Sequence, residues 1–144
     1  MNAATFFTTL LAAGLLSPLI AQEKLETAEQ RFGGKAKEAE SPSFRRHVVP
    51  LASKLGCSGR ECHGSFQGRG DFQLSLFGYD FGKDHKAITA DKEHRIRVNI
   101  DEPGRSLFLQ KPMKQVKHKG GEIYEEGSWE HNVMLKWIQD GAKL

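Results

Sequence analysis

Both cysteines of the chain stand in one short stretch, Cys57-Ser-Gly-Arg-Glu-Cys62-His63, and a histidine directly follows the second. Two thiols and an imidazole within seven residues admit three chemistries. Covalent haem attachment uses two thiols to form thioethers with the vinyl groups, while a histidine beside the second thiol reaches the iron. Its usual spacing is Cys-x-x-Cys-His. Here two further residues separate the thiols, but Cys62 is still followed at once by His63, and Gly59 lets a longer loop bulge aside. A disulfide between Cys57 and Cys62 is the second chemistry, because thiols of an exported chain pair by default. It explains the sulfurs and leaves His63 unexplained. Structural zinc takes four ligands, usually from two separated pairs, and the chain has one pair. On the motif alone, haem and disulfide stand level.

The compartment follows from the first 21 residues, MNAATFFTTLLAAGLLSPLIA, which carry no Lys, Arg, Asp or Glu. The apolar run 10–16, then Ser17-Pro18 and Leu19-Ile20-Ala21, has the layout of a secretory signal peptide cleaved before Gln22. The run is shorter than the roughly 18 residues of a spanning helix and is broken by Pro18, so no stable membrane span is expected after cleavage. The expected location is the periplasm or the cell exterior, where thiols do not stay reduced without a reason.

Against 18 acidic side chains stand 21 Lys and Arg, all beyond residue 21. No basic cluster is dense enough to track a phosphate backbone, so nucleic acid is not an expected partner. The most basic stretch, 113–119 (MKQVKHK), suits an acidic redox partner. Asp71, Asp80 and Asp84 lack the spacing of a calcium loop. No nucleophile–base set, phosphate loop or carboxylate pair argues for an enzyme.

The elements that must position the motif are few. Residues 22–43 are polar and read as a linker with at most one frayed helical turn. One small domain is expected over 44–144, mainly helical. Residues 44–55 place Phe44, Val48, Leu51 and Leu55 on one helical face, with Pro50 starting or kinking the helix and Gly56 ending it before Cys57. The Gly- and Phe-rich stretch 64–82 predicts turns around a short extended segment, in which Phe72, Leu74 and Leu76 alternate with polar residues. Residues 83–104 are highly charged and are expected at the surface. Apolar character returns at 106–109, and Gly120-Gly121 marks a bend. Ser128 caps a last helix, WEHNVMLKWIQD, whose stripe is Trp129, Val133, Met134, Trp137 and Ile138, and Gly141 stops it. The apolar cover of the site is expected from Phe66, Phe72, Leu74, Leu107, Leu109, Trp137 and Ile138. His47, His85, His94 and His131 read as surface side chains.

Four segments together carry a family resemblance: FRRHVVPLASKLGC, ECHG, SLFLQKP and the ending LKWIQDGAK. From Phe44 to Lys143 the chain resembles the planctomycete-type cytochrome c domains of bacteria, small c-type cytochromes often fused to larger exported domains. GSFQGRGDFQLSLFGYDF is similar to a subfamily in which Cys-x4-Cys-His-Gly replaces Cys-x-x-Cys-His-Gly. The resemblance implies a class I-like fold, with first and last helices packed beside one covalent haem c. It implies Cys57 and Cys62 as attachment points and His63 as proximal iron ligand. Electron transfer is then the expected role, toward a redox partner protein or a larger exported oxidoreductase. In most such domains a Met-Pro loop supplies the far-side ligand, and this chain has no Met-Pro. In the corresponding interval, KPMKQVKHKGG, His118 is the first choice as distal ligand, Met113 the second and an open site the third. Two imidazoles would fill both axial positions of an electron carrier; an open position would suit a sensor or a small haem enzyme. The rival is a haem-free secreted binding module. It would carry the disulfide and use Phe66, Phe72, Phe77, Tyr79 and Phe81 as a recognition surface.

Overall fold

A computed structural model describes residues 24–33, 41–90 and 97–144. The expected signal peptide over 1–21 and His94 lie outside the described residues. Five α-helices follow in order: α1 Ala28–Phe32, α2 Val49–Lys54, α3 Phe81–Thr89, α4 Leu107–Gln110 and α5 Trp129–Gln139. The described chain is mainly helical, and among the described residues no helix is long and apolar enough to cross a membrane.

As expected, the α-helical part of the segment leading to the cysteines, α2, begins beside Pro50, which lies in its first turn. A π-helical turn, Phe44–Val48, precedes it, in which the Val49 N–H bonds the Phe44 carbonyl five residues back. Proline has no N–H to give, and its ring crowds the carbonyl four residues before it. Widening the preceding turn by one residue relieves that crowding and lets α2 continue. Ser43 caps the start by accepting the Arg46 N–H, while its own N–H goes to His47 Nδ1 at 2.8 Å.

The leading helix and α5 pack face to face, with the Phe44 and Trp137 rings 5.2 Å apart and tilted by 33°. Val48, Leu51, Val133, Met134 and Ile138 fill the same seam, joined by Leu74, Ile88 and Leu109 from the connecting segments. Each such burial is worth about 1.5–3 kcal/mol before its entropy cost. The last helix keeps its expected bounds within a residue, capped by Ser128 and ended at Gly141.

Three expectations need correction. The one helical turn expected within 22–43, α1, is docked and not frayed, because Thr27 and Gln30 form a capping box on it and Phe32 is buried. The Phe32 ring meets His47 edge-on at 5.5 Å, and its carbonyl accepts from Asn132 Nδ2. One large aromatic is enough to dock one turn in an otherwise polar stretch. The charged segment 83–104 is not superficial throughout. In α3, Ile88 faces the core, and the buried Asp84 carboxylate accepts the Ser75 N–H and hydroxyl. The expected extended segment is not a strand, since only an isolated bridge between Arg69 and Phe72 forms among the described residues. Among the described residues no neighbouring strand offers it a ladder. The Leu74 N–H bonds the His63 carbonyl at 2.8 Å instead, and Leu76 has entered a 3₁₀ turn, Leu76–Gly78.

Candidate functional site

The cysteine loop is launched by the end of α2. Gly56, at φ +83°, gives its N–H to the Ser53 carbonyl, and Cys57 gives its own to the Ala52 carbonyl. This paired closure satisfies the last helical carbonyls and needs a residue that tolerates the left-handed region, hence glycine. Cys57 is thereby fixed to the helix terminus.

The four residues between the thiols are folded, not splayed. Gly59 N–H bonds the Gly56 carbonyl, Cys62 N–H bonds the Gly59 carbonyl, and His63 N–H returns to the Cys57 carbonyl, each at 3.0 Å. The longer spacing thus closes on itself and brings Cys62 and His63 back beside Cys57. The tight approach is at Gly64, not at Gly59. A Cβ on Gly64 would lie 1.9 Å from the Ser58 carbonyl oxygen. Ser58 is held by a 2.8 Å contact between its hydroxyl and that of Ser53, and its carbonyl accepts the Phe77 N–H.

His63 is oriented by the turn that follows. Its Nδ1 lies 3.1 Å from the Phe72 carbonyl, and the rings of His63 and Phe72 meet at 4.6 Å, tilted by 52°. A carbonyl only accepts, so Nδ1 carries the hydrogen, and Nε2 is the nitrogen left to bind a metal. His118 is held in the same way, with Nδ1 at 2.9 Å from the Gly121 carbonyl. Gly120 makes room for that ring, because a Cβ there would meet His118 Cε1 at 2.8 Å. Burial holds His63 below the ordinary histidine range, and the charges of His118 and Lys111 push it the same way, against the carbonyls of Phe72 and Arg69. His63 and His118 are therefore electrostatic neighbours across 55 residues of chain. Met113 is half-buried against the core.

The thiols are not joined to each other. Burial, then the neighbouring Cys62, pushes the Cys57 thiol up to about 11, so it is protonated at neutral pH. A neutral buried thiol is not a ready nucleophile. Among the described residues no three His, Cys, Asp or Glu side chains gather to hold a metal ion. Haem iron makes no such demand, since the porphyrin fills four positions and the protein supplies only axial ligands. One further feature fits a site completed by a bound group. The Tyr124 hydroxyl is buried with no hydrogen-bond partner, and its phenol is raised by burial and by the nearby Cys57 and Glu130. A buried orphan donor costs about 1–3 kcal/mol unless something accepts from it. Tyr124 carries no motif, which is why sequence reasoning missed it.

The remaining expectations divide. Leu74, Leu109, Trp137 and Ile138 are buried, Phe72 and Leu107 half-buried, but Phe66 is 95% exposed and covers nothing. Of the proposed recognition aromatics, Phe66, Phe77 and Tyr79 are exposed, whereas Phe72 and Phe81 pack against the core. His131 is buried, not superficial, with Nδ1 accepting the Gly127 N–H. His85 is half-buried, its Nε2 bonded to the Ala142 carbonyl. The two contacts lie at the two ends of α5. Comparison with protein families, with curated proteins and with solved structures yields no match.

Proposed function

We propose that the chain is an exported c-type cytochrome domain, in which Cys57 and Cys62 would hold a single haem covalently and His63 and His118 would ligate its iron. The observation that carries this reading is the matched pair of histidines. Each surrenders Nδ1–H to a backbone carbonyl, keeps Nε2 for a ligand, and lies within electrostatic reach of the other. Such a carbonyl contact sets the tautomer, fixes the ring and raises the basicity of the ligating nitrogen. The packing of the first and last helices through Phe44 and Trp137 agrees with a class I-like cytochrome fold.

When bound, the haem supplies a one-electron couple at its iron. The chain's own residues do the rest. The folded loop 57–63 presents both sulfurs and the proximal imidazole from one rigid unit, and α5 with Leu109 and Leu74 excludes water. With both imidazoles committed to the iron, the domain would serve as an electron carrier and not as an oxygen-activating enzyme. A redox protein or a larger exported oxidoreductase is the partner such a carrier requires.

The test is a visible spectrum and an intact mass of chain expressed with the cytochrome c maturation machinery. Soret and α/β bands and a covalent gain of one haem are expected, with attachment lost in Cys62→Ser. A colourless product with its two sulfurs oxidised to a disulfide overturns the reading in favour of a haem-free binding module, whose surface would be Phe66, Phe77 and Tyr79.

A further inference from the structure

Arg97 is 8% exposed, yet among the described residues no carboxylate pairs with it. Its guanidinium donates to the Asp71 carbonyl at 2.8 Å and to the Ala90 carbonyl at 3.4 Å, and lies 5.0 Å above the Phe72 ring. A buried cation without a counter-charge is costly, and two carbonyl dipoles with one aromatic face offset only part of that cost. Two of the five N–H groups are spent on those carbonyls. The guanidinium fork is shaped for a carboxylate, which it takes bidentately.

The place of this charge gives the carboxylate its source. Asp71 and Phe72 are consecutive. The carbonyl of the first is bonded by Arg97, and that of the second by His63. The Phe72 ring neighbours both side chains, 4.6 Å from the imidazole and 5.0 Å from the guanidinium, so Arg97 stands no more than about 10 Å from the His63 ring. Haem carries two carboxylates at its rim. We infer that Arg97 is a carboxylate-binding residue that takes one haem propionate, so that one turn, 69–72, holds the iron ligand through Phe72 and the haem's acid group through Arg97. The inference rests on the haem reading above.

The haem carboxyls can be labelled with ¹³C through labelled aminolevulinate and observed by reduced-minus-oxidised infrared difference spectroscopy of the matured chain. In the wild type, one labelled carboxylate stretch is expected to respond to redox change as an ion-paired group. Arg97→Gln should shift that band toward a solvated carboxylate and lower the midpoint potential. Arg97→Lys keeps the charge without the fork, and should restore the potential while leaving the band shifted. Dipolar coupling between ¹⁵N-labelled arginine and the ¹³C carboxyls of the unmutated protein gives the same answer if either variant fails to fold. An unchanged band in Arg97→Gln, or no such coupling in the wild type, overturns the assignment and leaves haem binding intact. A wild-type chain without haem overturns both.

Discussion

His63 and His118 are held by the same device: each Nδ1–H is spent on a backbone carbonyl, of Phe72 and of Gly121, and each ring keeps Nε2 in reserve. One histidine sits in the cysteine loop and the other in the turn before α5, and the charge of His118 is one of the causes that lower the His63 pKa, after burial. A surface histidine has no need of a fixed tautomer; a metal ligand does.

If His118 fills the sixth position, the reduced wild-type protein should not bind carbon monoxide, and His118→Ala should bind it at once. His118→Met should raise the midpoint potential by part of the roughly 0.8 V over which axial ligands tune haem. Met113→Leu should change neither property. Carbon monoxide binding by Met113→Leu, with His118→Ala inert, would hand the distal role to Met113.

Gly120 offers a test that leaves the ligand itself untouched. Alanine there would set a methyl 2.8 Å from His118 Cε1, and the imidazole must turn away or the bend must open. The expected result for Gly120→Ala is a folded, haem-loaded protein with the carbon monoxide sensitivity of His118→Ala. A Gly120→Ala variant that is spectroscopically wild type would show that His118 is not seated by this glycine.

The helices at both ends of the domain were legible because their signals are local: an apolar stripe, a capping serine, a terminal glycine. Cys57, Cys62 and His63 were legible for the same reason. What sequence could not supply was everything fixed by contact across the chain. Phe32 docks a turn inside a polar stretch because His47 and Asn132 await it from elsewhere. Asp84 and Arg97 read as surface charges, and only the Ser75 hydroxyl and the Asp71 carbonyl show why each is buried. The alternation of Phe72, Leu74 and Leu76 read as a strand, yet period two has meaning only where a neighbouring strand exists. Tyr124 was invisible because nothing in its local sequence sets it apart.

The loop's compactness makes Gly64 its most sensitive position. A methyl 1.9 Å from the Ser58 oxygen cannot be absorbed by a rotamer change, since backbone faces backbone. Gly64→Ala should cost at least about 1–3 kcal/mol, the range for forcing atoms into a packed site. Gly59→Ala, whose nearest neighbour is the Gly56 oxygen at 3.1 Å, should cost less. Urea melts of the two variants rank them, and equal midpoints would mean that the loop has another way to close.

His131 should make the protein acid-sensitive. It is buried near the start of α5, and its Nδ1 accepts the Gly127 N–H at 3.1 Å, a role only the unprotonated nitrogen can fill. Burial depresses its pKa below the ordinary histidine value, with Glu126 and the contact to Asn132 opposing weakly. The unfolded chain then binds the proton more readily than the native one, so stability rises with pH across this titration. The contribution is complete above about pH 6.5, the value for a free histidine, and is lost as pH falls through the depressed native value. Asp140, whose carboxylate Lys136 holds below its ordinary range, titrates further into acid and does not share this window. If haem iron holds His63, as proposed, His131 is the remaining histidine whose pKa burial lowers in this window. Urea midpoints of wild type should fall from pH 7.5 to pH 5, and His131→Gln should flatten that dependence while lowering stability at pH 7.5, where the cap to Gly127 is lost. A wild-type midpoint that stays constant over the interval would mean that the proton enters without disturbing the start of α5.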